Sequence, residues 1–313
     1  MSDPTATQDL IKGADDASPV AVRNGQRGLW RDTWDILKRR KIFWVSLVML
    51  VVFLLMAAFP SLFTHKDPEY ATLAKSMELP SADAWFGYDL QGRDVYARAV
   101  YGARTSIIVG VLATLATVLL GGVTGVLAAY FGRWLDAVIS RVGEMFLGLP
   151  YVLGAIIILG TVAPAQSNPG KATIMAVVII VLALLGWPIL MRIARSAVIQ
   201  AKHQDYVQAA RALGAGPLRI IFKHLLPNSL APILVYSTIT IGSYIGAEAT
   251  LSLLGIGLRS PVISWGIAIA DHASYIRTAP HAMFFPAGFL SLCVLTFVML
   301  GEAVRDALDP KLR

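Results

Sequence analysis

An all-α, polytopic membrane protein with six transmembrane helices is the fold class this sequence predicts, and three observations predict it. Of 313 residues, 56% are hydrophobic and 15% charged, whereas soluble domains carry roughly a quarter charged residues. Six apolar runs, at 42–59, 106–130, 145–163, 172–191, 230–254 and 282–300, approach the ~20 residues a helix needs to cross a hydrocarbon core. Lys and Arg gather between alternate runs, the mark of a fixed orientation. Backbone groups in lipid must bond within their own segment, and these runs are too long for barrel strands, so they read as helices.

Residues 1–41 form a polar tail. No cleavable secretion signal opens it, and its Ser-, Asp-, Ala- and Pro-containing start predicts disorder. Lys38-Arg39-Arg40-Lys41 then precede the first run, as in a retained anchor. Residues 42–104 hold the first span and an external loop. In that loop Asp67, Glu69, Glu78, Asp83, Asp89 and Asp94 face five bases, a near-neutral balance suited to an outer surface. Asp89, Arg93 and Asp94 are placed to cap an external helix or to meet a partner protein.

Residues 105–303 make the transmembrane core, with a long loop at 192–229, and 304–313 a C-terminal tail. The N-terminal tail, the segment near Arg133 and Arg141, the 192–229 loop and the C-terminal tail hold 19 of the 27 basic residues. By the positive-inside bias both termini are cytoplasmic. Within the spans, Gly121-x-x-x-Gly125 lets two helix backbones approach closely. Pro150 and Pro188 kink or begin their helices, and Pro286 sits near the start of the last. Ordinary helix packing explains all of these.

The net charge of +7 raises nucleic acid as a partner. The basic residues lie beside apolar spans, however, so membrane lipid headgroups and topology explain them instead. Cys293 is the single cysteine, which excludes an intrachain disulfide. The histidines are scattered without metal-ligand spacing, and no catalytic constellation occurs. Glu248 is the one acid well inside a span, a functional candidate by default. Its place toward the outer end of the fifth run favours a packing role, paired with Arg259 or Arg277 or solvated at the interface. Glu144 and Arg141 are spaced for an i,i+3 pair.

The most informative stretch runs from Gln204 to Asn228 and predicts two short helices joined by a tight turn. The first is rich in good helix formers, including Gln208, Ala209 and Ala210. Gly214 and Gly216 end it, because a C-terminal cap often needs a left-handed residue. Pro217 suits the first turn of the second helix. There Leu218, Ile221, Phe222 and Leu225 form one apolar face, with Arg219 and Lys223 on another. Pro227, after Leu226, breaks the helix before the fifth span. Periodicity alone leaves two readings open: a pair lying flat on the membrane, or one docking in a partner's groove.

This segment resembles the EAA loop of bacterial ABC importer permeases, with Ala209-Ala210, Gly214 and Leu226-Pro227 at matching positions. Gln208 stands where the family has glutamate, and His224 where it has isoleucine. Trp30 through Lys41 resembles the amphipathic helix leading into the first span of the dipeptide/oligopeptide permease family, C-type subunit. Phe86-Gly87-Tyr88-Asp89, Gly92-Arg93-Asp94 and Tyr101-Gly102-Ala103-Arg104 are similar to that family's external segment. Glu248-Ala249-x-Leu251-Ser252-x-Leu254-Gly255-x-Gly257, Ser264-Trp265-Gly266 and Arg305-Asp306-Ala307-Leu308-Asp309-Pro310 resemble its later motifs.

The resemblance implies a type I ABC importer permease in a bacterial plasma membrane, paired with a second homologous permease. It also implies two cytoplasmic ATPase subunits, which carry the ATP and Mg, and an extracytoplasmic substrate-binding protein. Gln208, Ala209, Ala210, Gly214, Pro217, Leu218, Phe222, Leu226 and Pro227 would then couple to an ATPase, and Glu248 would be a gate or a structural residue. The sequence holds no G-x-x-x-x-G-K-[ST] phosphate loop, which fits a transport subunit that is not itself an enzyme. Peptide is the leading substrate class, with a nickel complex or another small solute as the alternative. An ion-coupled secondary transporter would show two related halves and midplane ionisable groups. A scaffold protein would give no reason for the Gly214-centred helix pair.

Overall fold

The computed structural model describes residues 34–162 and 170–308. The polar start of the chain, residues 30–33 of the lead-in helix, position 163 and Asp309-Pro310 lie outside the described residues. The α-helices that lie wholly among the described residues are α1 (Lys41–Ala58), α2 (Val95–Phe131), α3 (Arg133–Leu147), α4 (Tyr151–Val162), α5 (Lys171–Lys202), α6 (Asp205–Ala212), α7 (Pro217–Ile220), α8 (Leu226–Leu253), α9 (Trp265–His272) and α10 (Pro280–Leu308). Helices α1, α2, α5 and α10 are each long and apolar enough to span a membrane, as is the run Pro217–Leu253 that contains α7 and α8.

The sixth expected span is different. Where the sequence predicts one helix over 145–163, the chain bends by 90° between α3 and α4. Pro150 lies at the bend and disfavours helical geometry at Leu149. Its carbonyl then starts α4 by accepting the Gly154 amide at 2.9 Å. At 12 residues, α4 is about 18 Å long, so the count reaches six only when the bent pair is one span.

Helix α2 begins at Val95 rather than Ser106, because the Asp94 carboxylate caps it by accepting the Ala97 amide at 2.9 Å. Helix α5 runs on past Met191 to Lys202. Where α2 and α5 cross, a Cβ on Gly121 would lie 2.6 Å from the Trp187 carbonyl oxygen, and one on Gly125 would lie 2.6 Å from that of Met191. The G-x-x-x-G stretch is therefore the contact surface between the two helices.

Helix α1 packs along α10. Phe43 and Leu37 meet Ala303 and Ala307 at one end, where Arg40 pairs with Asp306 at 2.5 Å. Toward the other end, Phe53 and Met56 join Val100, Ile107, Trp265 and Cys293 in one buried group. Pro286 lies inside α10 and Pro188 inside α5.

Candidate functional site

The helix pair between α5 and α8 forms as its residues dictate. Asp205 stands in the first turn of α6 and Arg211 in the last, each complementing the helix dipole. Gly214 has φ +80°. Its amide bonds the Arg211 carbonyl at 2.9 Å and the Ala215 amide bonds that of Ala210 at 3.0 Å, a Schellman ending. Gly216 does not end the helix: at φ −70° and ψ 163° it is the extended N-cap of α7, and Pro217 is the first residue of that helix.

One side of the pair is docked. Val207, Ile220, Ile221 and Leu225 are buried against Val126 and Ala129 of α2 and Val198 and Ala201 of α5. Lys202 caps the end of α2 by donating to the carbonyls of Ala129 at 3.0 Å and Tyr130 at 2.7 Å. The other side is bare. Leu213 is 89% exposed, Leu218 71% and Phe222 66%. The single apolar face expected for Leu218, Ile221, Phe222 and Leu225 is therefore split, because adjacent positions such as 221 and 222 point ~100° apart. Gln208, Ala209, Gly214, Pro217 and Pro227 are also exposed, while Ala210 and Leu226 are half-buried. Exposed apolar side chains beside a docked face make this side a candidate interaction surface.

Pro227 does not break the helix. The backbone widens into a π turn over Ile221–Leu225, where the Leu226 amide bonds the Ile221 carbonyl, and enters α8 without interruption. A π turn accommodates the missing proline N–H. Nearby, the Asn228 side-chain amide donates to the His224 carbonyl at 2.7 Å and the Ser229 hydroxyl to that of Leu225 at 2.9 Å.

Glu248 is wholly buried rather than solvated at an interface, and the described groups that bond it are serines rather than Arg259 or Arg277. Its carboxylate accepts hydroxyls from Ser252 at 2.8 Å, Ser264 at 3.1 Å and Ser106 at 3.5 Å. Each serine oxygen in turn accepts a backbone amide: Leu258 for Ser252 (3.1 Å), Ile267 for Ser264 (3.1 Å) and Trp265 for Ser106 (3.3 Å). One acid thus joins α2, α8, the 254–264 segment and α9. A Cβ on Gly266 would lie 2.9 Å from Glu248 Oε1, so only glycine lets α9 come this close. Burial in protein rather than at an interface is what the sequence reading missed, since Ser106 lies far away in the chain.

In the segment after α1, Asp89 accepts the amides of Gln91 and Arg93 and the Arg93 guanidinium, at 2.9, 2.9 and 2.7 Å. The Tyr88 hydroxyl donates to Asp83 at 2.5 Å and Lys75 pairs with Asp83 at 2.9 Å. These bonds, Tyr88 first and Lys75 second, hold the Asp83 carboxyl below the ordinary range, and Asp83 raises Lys75 above its own. Arg141 and Glu144 form the expected exposed pair at 3.3 Å. Composition gave no sign of a second pair, Arg195 with Asp136 at 2.6 Å, which fastens α3 to α5.

A family model described as the binding-protein-dependent transport system inner membrane component matches residues 121–313. A second, the N-terminal TM domain of oligopeptide transport permease C, matches residues 28–80. The chain is 38% identical to the dipeptide transport system permease protein DppC of Alkalihalophilus pseudofirmus, over 91% of this chain and 90% of that one. It is 37% identical to the oligopeptide transport system permease protein OppC of Bacillus subtilis, over 96% and 95%. It is 32% identical to the glutathione transport system permease protein GsiD of Pectobacterium atrosepticum, over 94% and 95%. In fold it is similar to an inward-facing crystal form of the MetNI methionine ABC transporter (TM-score 0.54, 20% identity, 68% of this chain and 96% of that one).

Proposed function

Because this chain belongs to the family of binding-protein-dependent transport inner membrane components, we propose that it is the C-type permease subunit of an ATP-driven importer of di- or oligopeptides. The named activities of its relatives, dipeptide, oligopeptide and glutathione transport, support peptide as the substrate class. In this reading the chain forms half of a translocation path with a second, homologous permease. Two cytoplasmic ATPase subunits supply ATP and Mg chemistry, an extracytoplasmic protein delivers substrate, and both termini are cytoplasmic.

One observation carries the coupling role: Leu213, Leu218 and Phe222 stand exposed on a helix pair whose opposite face is buried against α2 and α5. A pair held so firmly on one side and apolar on the other suits a groove in a partner. Gly214 is the test. With φ +80° and open space where its Cβ would stand, Gly214→Val meets no clash and strains the backbone by about 1–2 kcal/mol. The variant should insert at near-normal abundance while peptide uptake collapses and the ATPase subunits co-purify weakly or hydrolyse ATP without transport. Normal uptake at wild-type abundance would show the loop has no coupling role.

A further inference from the structure

We propose that the cleft between the α3–α4 bend, α5 and α8 is a hydrogen-bonding wall for the main chain of a peptide in transit. The proposal rests on the peptide-importer reading and gives it a location in this chain. The cleft has a volume of about 580 Å³, within the range of small-ligand sites. Among the described residues, no Asp, Glu, Lys, Arg or His lines it. Its polar groups are hydroxyls, and α8 presents most of them on one face: Tyr236, Thr240, Ser243 and Tyr244, at i, i+4, i+7 and i+8.

The proton inventory of these hydroxyls defines a ligand. Thr240 donates to the Tyr236 carbonyl at 2.7 Å and Ser243 to that of Ile239 at 3.3 Å, which leaves their lone pairs free to accept. Thr117 uses its one hydrogen on the Ala113 carbonyl at 2.9 Å, so in the 2.8 Å contact with Thr117 it is Tyr244 that donates. Tyr244 is therefore also left as an acceptor. A side chain on Gly186 would collide with the Tyr244 hydroxyl, so this glycine is what lets it sit there. The Tyr151 hydroxyl is buried with no hydrogen-bond partner, and a buried polar group without a partner is costly. The cleft thus offers acceptors for N–H groups and, at Tyr151, a buried donor for a carbonyl. That is the complement of a peptide bond. With no charge in the wall, it reads the main chain and passes over the charge of the side chains.

The test uses the complete importer in proteoliposomes, with labelled Ala-Ala-Ala, Lys-Ala-Ala and Glu-Ala-Ala as probes. Tyr151→Phe removes a hydroxyl that bonds nothing in the resting protein, so abundance should not change. Uptake efficiency should fall roughly 2- to 10-fold, the loss of one hydrogen bond, and equally for all three peptides. A photoreactive benzoylphenylalanine at position 243 should crosslink labelled peptide during turnover. Wild-type efficiency in Tyr151→Phe, a loss confined to one charged peptide, or crosslinks only to the second permease would each overturn the proposal. Failure of the wild-type importer to take up any of the three peptides would instead defeat the peptide reading itself.

Discussion

The Ser264 hydroxyl donates to Glu248 at 3.1 Å while its oxygen accepts the Ile267 amide at 3.1 Å, so one atom both caps α9 and ties it to α8. Ser252 and Ser106 repeat this double use on the same carboxylate. Glu248 is therefore the common acceptor for three serines that each hold a backbone amide.

Glu248→Gln should be mild, because its carbonyl can still accept from Ser252 and Ser264 and its amide can donate to Ser106. Glu248→Ala leaves buried hydroxyls without an acceptor, at about 1–3 kcal/mol for each such group. Thermal unfolding of the purified importer should fall by several degrees for Ala and little for Gln. Equal losses for the two would mean that the volume of the side chain, and not its acceptors, matters.

Orientation is checked by labelling. Cys293 is wholly buried and should stay silent toward an impermeant thiol reagent in intact cells. A cysteine at exposed Leu79 should react from outside, and one at exposed Lys223 only after the cells are opened. Reaction at Lys223 in intact cells would invert the orientation drawn from the 19 basic residues.

The Asp83–Tyr88–Lys75 cluster predicts a pH response of definite sign. Asp83 is depressed, so its contribution is full above an ordinary aspartate value near ~3.9 and is lost as pH falls through its folded value. Lys75 is raised, so its contribution is full below ~10.4 and is lost as pH rises through its folded value. Between those limits hydrogen exchange at residues 76–88 should differ between wild type and Asp83→Asn by a constant factor, with the difference closing only outside them, in acid below about 4 or in strong alkali. A difference that closes between pH 5 and 8 would contradict the assignment.

Much of the fold was legible because long apolar runs leave few alternatives. The Gly214 turn was legible too, since a glycine before Ala-Gly-Pro has a specific conformational use. Pro150 was ambiguous: a proline can kink a helix or begin one, and nothing local announces the 90° turn or the Asp136–Arg195 pair that fastens α3 to α5 beside it. The setting of Glu248 was hidden for another reason. Ser106 reaches it across 142 positions, and no periodicity within one span can announce a partner in another.

The π turn at Ile221–Leu225 has a mechanical consequence. Because Pro227 does not interrupt the backbone, Pro217–Leu253 is one continuous 37-residue helical rod, about 55 Å long, with Pro232 inside it. Leu218 and Phe222 ride near one tip, Glu248 near the other, and the hydroxyls of Tyr236, Thr240, Ser243 and Tyr244 between them. Tilting such a rod by 5° about one tip carries the other roughly 5 Å, about the spacing of one helical turn. In the coupling role proposed above, a push at Phe222 would reach the serine-held carboxylate as a displacement large enough to change its hydrogen bonds, with no relay of separate contacts in between.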